Sequence, residues 1–367
     1  MSQHKIALKQ SMRMHITSPT SIVIGSTPRT SIELANLSEL HLRVLELLDG
    51  TRNLETIIID LANEGFVHKE EEIEGFIQEL SKHNLLEVRK DKDFDVLDIR
   101  SIERYSRQLS YFLLFTEERN HAFRFQKKLM ESRVAILGIG GVGSYLAYGL
   151  VAIGVGSILG IDGDYVELSN VSRQILYNEK DIGRSKVDVA AEKLKLINSR
   201  TNLKFIPRNL CSPKEIHKVL QDESIDFLVL SADIPRGLIG QWVNEACVHA
   251  SVSFCEVGSC EDIGIVGPIV IPGKTPCWLC GTSIPETAML EKEYVRKLNQ
   301  RFIPSIFDPL NAGVASIALI EITKHLTSFS ECRLYGQRLF IDFTSLETYF
   351  ETFTKNVACP VCGKLSN

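Results

Sequence analysis

Two cysteine motifs in the last third of the chain constrain its fold more than any other feature. Cys277 and Cys280 are separated by two residues, and so are Cys359 and Cys362. This spacing lets two thiolates reach one metal ion from a tight turn, and two such turns complete a tetrahedral four-sulfur site. The motifs therefore predict a structural Zn²⁺ site that fixes the C-terminal segment to the body of the fold. Chance pairing of redox-inert cysteines is the alternative.

The composition is that of a globular protein with room for two domains. The chain has 367 residues, of which 24% are charged and 44% hydrophobic. A net charge of -5 and a pI of about 6.0 disfavour a nucleic-acid partner. No apolar run reaches membrane-spanning length, and the N-terminus lacks the apolar core of a signal peptide. We therefore expect a cytoplasmic protein without a membrane partner, whose nine cysteines are metal ligands and buried thiols.

Residues 1–95 predict a small winged-helix-like α+β domain. Short strands at residues 21–25 and 31–34 suggest a hairpin around Thr27 and Pro28. Apolar residues at helical spacing predict three helices: one capped by Ser38, one starting at Asn53, and one over residues 70–83. Residues 85–88 read as a closing strand, and the charged residues 89–95 as a linker.

This order of elements resembles the PqqD-like domains that capture leader peptides. The resemblance rests on residues 48–54 (Leu-Asp-Gly-Thr-Arg-Asn-Leu), and on Ile57, Leu61, Leu80 and residues 85–87. It implies that a precursor peptide adds as a strand to the sheet edge, which we expect at residues 31–34. Phe76, Ile77 and Leu80 of the third helix are expected to floor the groove. A DNA-binding winged helix is the alternative, disfavoured by the glutamates of that helix: Glu70, Glu71, Glu72, Glu74 and Glu79.

Residues 96–367 predict a Rossmann-like, mostly parallel α/β sheet with helices on both faces. Apolar strands are expected at residues 133–137, 157–161 and 226–230, with helical segments between them. A glycine-rich loop follows the first strand and leads into a helix from Ser144, and its glycines are Gly138, Gly140, Gly141 and Gly143. Glycines there let the backbone approach phosphates, and the helix N-terminus offers oriented N–H groups.

The polar residues after this loop favour a polyphosphate over a nicotinamide cofactor. Asp162 ends the second strand, where a carboxylate can accept ribose hydroxyls, and Asp233 follows a later strand, where Mg²⁺ would need an oxygen ligand. Cationic and amide side chains lie between them in the sequence, at Asn170, Arg173, Gln174 and Lys186. Asp164 either belongs to this set or caps the following turn.

Together with Arg104-Tyr-Ser-Arg107-Gln108 and the cysteine pairs, these residues resemble the ThiF/MoeB family of adenylating enzymes, related to ubiquitin activators. The resemblance covers about residues 103–364. It implies a homodimer that binds Mg-ATP and activates a carboxylate as an acyl-adenylate. Asp162 would hold the ribose, Asp233 would bind Mg²⁺, and Arg107 would reach the γ-phosphate in the neighbouring subunit. The phosphates would be held by Asn170, Arg173 and Lys186.

The chain departs from the thioester-forming members of that family. They place a cysteine after the first zinc pair, whereas residues 282–311 contain none and offer only Ser305 near their end. The remaining cysteines are expected to be buried in strands or helices: Cys211, Cys247, Cys255, Cys260 and Cys332. Direct attack on the adenylate by a group of the substrate itself is therefore expected.

A peptide-capture domain fused to such an adenylating domain resembles the maturation enzymes of microcin C and pantocin A. The overall pattern favours the pantocin type, in which glutamate side chains of a precursor peptide are activated and cyclised. A microcin-type reaction would instead activate the C-terminus of the peptide. Glu256, Glu261 and Asp262 are either substrate-pocket residues or solvated loop carboxylates. Two other hypotheses are a sulfur-carrier activator and a peptide-binding scaffold with a decayed nucleotide site.

Overall fold

The computed structural model describes residues 3–27, 31–67, 69–90, 95–281 and 304–363. The chain divides into two compact units, Met1–Lys128 and Leu129–Asn367. The first unit thus continues past residue 95, at which the sequence placed the end of the peptide-recognition domain. The functional boundary of that domain stays a prediction. Part of the predicted linker, residues 91–94, and Pro28 of the predicted turn lie outside the described residues.

Two small antiparallel sheets lie in the first unit. Its strands are β1 (Lys5–Leu8), β2 (Met14–Ser18), β3 (Ser21–Ile24), β4 (Ile32–Leu34) and β5 (Leu86–Arg89). Strands β2, β3 and β4 pair in that order, and β1 pairs with β5. The predicted hairpin is confirmed as the β3–β4 pair, and the predicted closing strand as β5. Strands β1 and β2 are additional to the prediction, and β2 is exposed over most of its length.

Three helices pack beside these strands: α1 (Glu39–Leu47), α2 (Leu54–Asn63) and α3 (Glu70–Lys82). Both predicted caps are confirmed, since the side chains of Ser38 and Asn53 accept hydrogen bonds from backbone N–H groups of the first turns. The expectation for α3 is wrong in part. Ile77 and Leu80 are fully buried in the core of this unit, so they have no surface to offer as the floor of a groove. Phe76 is half-buried and lies against His41, with 4.6 Å between the ring centroids.

The motif at residues 48–54 forms a turn that connects the helices to β1. Gly50 has a φ of +86° and donates its N–H to the Ile6 carbonyl at 2.9 Å. The Asp49 carboxylate accepts hydrogen bonds from the N–H and hydroxyl of Thr51, and Arg52 joins Asp49 to Asp60. This part of the resemblance therefore has a structural reason, because the turn holds β1 in place.

Three further helices begin in the first unit: α4 (Ile99–Arg104), α5 (Ser106–Phe112) and α6 (Arg119–Glu131), which continues into the second unit. The second unit contains an eight-stranded sheet with the order β13-β12-β11-β10-β9-β6-β7-β8. Its strands are β6 (Arg133–Leu137), β7 (Ser157–Ile161), β8 (Asn202–Ile206), β9 (Phe227–Leu230), β10 (Ser253–Cys260), β11 (Ile263–Val270), β12 (Gln337–Asp342) and β13 (Thr348–Thr352). From β8 to β10 neighbouring strands are parallel, and from β10 to β13 they are antiparallel.

Helices cover both faces of this sheet, as the sequence predicted. They are α7 (Gly141–Ala152), α8 (Lys186–Ile197), α9 (Pro213–Asp222), α10 (Ile239–Ala250), α11 (Trp278–Gly281) and α12 (Asp308–Thr327). Leu137, Leu159 and Leu228 pack in one core with α9 and α10. Phe227, the neighbour of Leu228 along β9, faces the other way and contacts His325 of α12. No helix among the described residues has the length and apolar character to cross a bilayer.

Candidate functional site

The glycine loop lies between β6 and α7, and its close contacts exclude larger side chains. Gly138 has a φ of +93°, and a methyl group there would come within 2.7 Å of the Ala232 backbone nitrogen. A methyl group at Gly143 would come within 1.9 Å of the Gly138 carbonyl oxygen. Helix α7 begins at Gly141, earlier than the predicted Ser144. Its first N–H groups therefore lie in the loop itself, as an anion site at a helix N-terminus requires.

Asp162 is placed at the end of β7 and is buried. One carboxylate oxygen accepts the Ile139 N–H at 2.7 Å, and the other accepts the Asp164 N–H at 2.9 Å. Each of these oxygens keeps a second lone pair, so the carboxylate can still accept a hydroxyl of a ligand. The Tyr177 hydroxyl donates to the Ile139 carbonyl at 2.8 Å. Burial and then the negative charge of Asp162 raise the pKa of Tyr177, which keeps the phenol protonated as a donor.

Lys186 is a buried cation that pairs with Asp164, the residue whose N–H donates to the Asp162 carboxylate. It is the first residue of α8, and its Nζ lies 2.9 Å from an Asp164 carboxylate oxygen. A second contact joins the two residues, because the Lys186 N–H donates to the Asp164 carbonyl at 3.0 Å. Asp164 is itself exposed. The arrangement holds the ammonium group near the end of β7, and its three N–H groups allow it to pair with a bound anion as well as with Asp164.

The segment between β7 and α8 carries three of the predicted site residues, Asn170, Arg173 and Gln174. Buried Asn170 accepts the Glu167 N–H at 3.0 Å and holds the turn, whereas Arg173 is half-buried and donates to the Ser169 carbonyl. Gln174 is buried, and its amide oxygen has no hydrogen-bond partner in the described part of the chain. Its amide nitrogen lies 3.7 Å from where a Gly140 side chain would begin. The segment therefore reaches the glycine loop.

Asp233 lies beyond the end of β9 and is exposed, 3.1 Å from the Arg236 guanidinium. Its position relative to the loop is fixed by its neighbours. The Ser231 hydroxyl donates to the Gly138 carbonyl at 2.7 Å, and Ala232 packs on Gly138.

Arg107 belongs to α5 in the first unit, where it is exposed. In the described ranges its guanidinium has no hydrogen-bond or ion-pair partner.

Helix α12 contributes residues that the sequence analysis did not single out. Asn311, in its first turn, is buried and donates its side-chain N–H to the Arg173 carbonyl at 3.3 Å. The Tyr145 hydroxyl of α7 lies 2.9 and 3.1 Å from the two Asp308 carboxylate oxygens. Burial and the adjacent Asp308 charge raise the pKa of Tyr145. Pro309 at the start of α12 is a signal from which the beginning of this helix could have been predicted, but nothing in the sequence indicates its contacts.

The four predicted zinc ligands converge in the second unit. Their sulfur atoms all lie within 4.8 Å of one another. Sulfur pairs are separated by 3.8 Å (Cys277 and Cys280), 3.6 Å (Cys277 and Cys359) and 3.4 Å (Cys280 and Cys362). A tetrahedral ion with Zn–S bonds of about 2.3 Å requires edges of about 3.8 Å, so the cluster fits Zn²⁺ closely. Burial raises the pKa of the Cys277 thiol, so a bound cation is what would keep it as a thiolate.

Further contacts fix the ligands. Asn244 of α10 accepts the Trp278 N–H at 3.0 Å and donates to the Cys277 sulfur at 3.6 Å. Glu256 accepts the Trp278 indole N–H at 2.6 Å and lies 3.1 Å from the Arg338 guanidinium. Glu256 therefore joins the zinc region to β10 and β12. Glu261 and Asp262 are exposed in the turn between β10 and β11, which agrees with the solvated-loop alternative.

The prediction that the other cysteines are buried is wrong at two positions. Cys247, Cys255 and Cys332 are buried, but Cys211 and Cys260 are exposed. Cys211 lies in the segment that connects β8 to α9. Cys260 is the last residue of β10, at the turn that leads to β11. Much of the cysteine-free stretch, residues 282–303, lies outside the described residues.

The family model described as "ThiF family" matches residues 105–362, which includes the glycine loop, the polar residues around it and all four zinc ligands. The chain belongs to the ThiF family. One relative with a similar sequence is the sulfur carrier protein ThiS adenylyltransferase of Bacillus subtilis. It is 38% identical over 248 residues, which cover 65% of this chain and 67% of that protein. ThiF-family membership makes the protein an ATP-dependent adenylating enzyme, and ATP binding fits the glycine loop described above.

Two solved structures resemble nearly the whole chain. Escherichia coli MccB, crystallised with AMPCPP and MccA, superposes with a TM-score of 0.80 at 25% identity and covers 98% of this chain and 100% of its own. A crystal structure of PaaA superposes with a TM-score of 0.73 at 24% identity and covers 95% of this chain and all of its own. The likeness to PaaA establishes a shared fold, and it extends over both units of the ThiF-family chain.

Proposed function

We propose that this enzyme adenylates a carboxylate of a ribosomally made precursor peptide, after which a group of the same peptide attacks the adenylate. The observation that carries the proposal is the juxtaposition of the glycine loop, Asp162 and Lys186. Asp162 is hydrogen-bonded to the loop at Ile139, and Asp164 connects it to the Lys186 ammonium. These contacts place N–H donors, a carboxylate and a cation at the same edge of the parallel sheet.

The roles follow from the charges of the reaction. A carboxylate that attacks the α-phosphorus of ATP brings two anions together, so fixed cations and a metal ion must neutralise the transition state. In the proposal Asp162 accepts the ribose hydroxyls, and Asp233 binds Mg²⁺ when its ion pair with Arg236 opens. The phosphates are bound by the loop N–H groups, Asn170, Arg173 and Lys186. When bound, Mg²⁺ would offset the negative charge of the phosphates.

Peptide recognition by the first unit is supported by its strand edge. Among the described residues β4 pairs with β3 only, so it is an edge strand. The Gly25 N–H bonds to the Arg13 carbonyl on the β2 side. Because backbone groups alternate along a strand, the N–H and C=O groups of Val23, two residues earlier, also point toward β2. Glu33 of β4 lies opposite Val23, so its own N–H and C=O groups point away from β3, toward the open edge. We propose that the leader part of the peptide adds to this edge as a strand.

A homodimer with Arg107 acting in trans is part of the proposal. The guanidinium is exposed on α5 and is not engaged by any of the described side chains, so it is available to a phosphate of the neighbouring subunit. An exposed arginine can offer two parallel N–H groups to phosphate oxygens. The cytoplasm, with its supply of ATP and reduced thiols, is the compartment that suits this chemistry.

On the basis of the overall sequence pattern alone, we propose the pantocin-type reaction, in which glutamate side chains are activated and the peptide cyclises. The microcin-type reaction, activation of the peptide C-terminus, is the second candidate, and the TM-score of MccB, 0.80 against 0.73 for PaaA, favours it. A sulfur-carrier substrate is disfavoured because residues 282–311 lack the cysteine of the thioester-forming relatives.

Mass spectrometry of a precursor peptide incubated with the enzyme and Mg-ATP separates these candidates. Cyclisation removes water from the peptide, whereas a microcin-type product retains a nucleotide on its C-terminus. A peptide that stays unchanged while a sulfur-carrier protein becomes adenylated would contradict the proposal.

A further inference from the structure

Two buried carboxamides lie on either side of the middle of the glycine loop. Asn311 of α12 is only 2% exposed, and its side-chain nitrogen lies 2.6 Å from where a Gly141 methyl group would be. Gln174 is 5% exposed, and its nitrogen lies 3.7 Å from the corresponding point at Gly140. A side chain at Gly141 would therefore collide with the Asn311 amide, and one at Gly140 would meet the Gln174 amide.

Asn311 also holds the residue that precedes Gln174. Its side-chain N–H donates to the Arg173 carbonyl at 3.3 Å, across 138 positions of sequence. One buried side chain therefore contacts both the start of α7 and the segment that carries the Arg173 guanidinium. Asn311 lies in the first turn of its own helix, and the Asp308–Tyr145 contact fixes that turn against α7.

We propose that Asn311 is a positioning residue for the nucleotide, which sets the glycine loop and Arg173 in their mutual geometry. This inference rests on the assignment of the loop as the ATP site. The side chain is large enough to reach Arg173, carries a donor for its carbonyl, and is uncharged. A carboxylate of the same size would lose the donor and place a negative charge beside N–H groups that bind phosphate.

The test compares binding of Mg-ATP and of adenosine by calorimetry to the full-length protein. Asn311→Ala should weaken Mg-ATP binding about tenfold, the effect of losing one positioned hydrogen bond. Asn311→Asp should weaken Mg-ATP binding further and leave adenosine binding within about threefold of the parent protein, because the added repulsion acts on phosphates. Ser316→Ala, which removes a hydrogen bond to the Ala312 carbonyl on the same helix, is the matched control and should bind both ligands normally.

A double-mutant cycle tests the contact with the loop. Gly141→Ala should weaken Mg-ATP binding, because its methyl group displaces the Asn311 amide. The same substitution should cost less in an Asn311→Ala background, where that amide is gone. The positioning role would be overturned if the effects of Gly141→Ala and Asn311→Ala on Mg-ATP binding were additive. It would also be overturned if the Asn311 variants lost affinity equally for Mg-ATP and adenosine. Neither result would affect the assignment of the nucleotide site. Failure of the parent protein to bind Mg-ATP would instead overturn the assignment of the nucleotide site.

Discussion

At the scale of single residues, Lys186 carries the sharpest prediction about catalysis. Its ammonium group is buried and has Asp164 as its charged partner, so Lys186→Ala removes a fixed cation from the proposed phosphate site. We expect peptide-dependent ATP consumption to fall by at least about a hundredfold, which corresponds to roughly 3 kcal/mol of transition-state stabilisation. The measurement is the rate of pyrophosphate release.

Lys204→Ala is the control for that substitution, because Lys204 pairs with Glu223 on the surface of β8. A surface pair of this kind contributes roughly 0–1 kcal/mol to stability, so the control should retain activity. Near-normal pyrophosphate release by Lys186→Ala would show that the buried ammonium does not act on the phosphates.

The two exposed cysteines lead to a second residue-scale prediction. Cys211 and Cys260 are accessible thiols, unlike Cys247, Cys255 and Cys332. If the adenylate is attacked directly by the substrate, a variant with both Cys211→Ser and Cys260→Ser should turn over the peptide at a rate within about twofold of the parent, as surface substitutions usually allow. A large loss, together with a thioester-linked peptide on the parent enzyme, would contradict direct attack.

At this scale, residues near a predicted strand end could be placed from the sequence. The glycines and Asp162 follow predicted strands, and parallel strands bring those ends to one edge of the sheet. Lys186 was singled out as a cation after the loop and by the ThiF/MoeB resemblance, and its role stays a prediction. Asn311 was missed because it meets Gly141 and Arg173 only through the packing of α12 on α7. The burial of Cys211 and Cys260 was misjudged because cysteine composition does not reveal which strand ends are exposed.

At the scale of elements, strand β4 should be the docking edge for the leader peptide. Glu33→Pro removes an N–H that faces outward, so it should weaken leader binding without removing a β3–β4 hydrogen bond. We expect a loss of about tenfold in affinity, measured by fluorescence anisotropy of a labelled leader peptide. Binding should change little with salt, because main-chain hydrogen bonds dominate it.

The opposite edge of the same sheet supplies the control. Met14 on β2 lies opposite Ile24, whose N–H and C=O groups point toward β4. The Met14 N–H therefore points away from β3, toward the open edge on the β2 side. Met14→Pro should leave leader affinity unchanged. Equal losses in both variants would mean that the sheet is destabilised generally, and an effect of Met14→Pro alone would move the docking site to β2.

The zinc cluster is a further prediction at the scale of elements. Purified protein should contain about one zinc ion per chain, as a four-sulfur site binds. Cys280→Ser should lose the metal and destabilise the fold by on the order of 5 kcal/mol, whereas Cys260→Ser at the exposed end of β10 should do neither. Metal analysis and thermal unfolding measure both effects. If the parent protein kept the same stability after its metal was removed, the structural role would be ruled out.

The elements themselves could be predicted unevenly. Strands β6, β7 and β9 follow from continuous apolar runs of a buried parallel sheet. Strands β1 and β2 escaped prediction, and β2 shows one reason, because it buries none of its side chains and depends on pairing with β3. The start of α7 was placed too late, since glycines at a helix N-terminus suppress the helix propensity that would have marked it.

At the scale of the whole molecule, we propose that the first unit binds the peptide and that the second adenylates it with ATP. In this reaction an oxygen of the peptide carboxylate attacks the α-phosphorus of ATP and releases pyrophosphate. When a group of the peptide then attacks the acyl carbon, the bond between that carbon and the bridging oxygen breaks, and AMP departs with that oxygen.

The most direct test is therefore a precursor peptide whose carboxylates carry oxygen-18, incubated with the enzyme and Mg-ATP, followed by mass spectrometry of the nucleotide. The account predicts that AMP acquires a labelled oxygen in step with pyrophosphate release and with the loss of water from the peptide. Label that appears in inorganic phosphate together with ADP, or AMP that forms without label, would contradict adenylation of the peptide carboxylate.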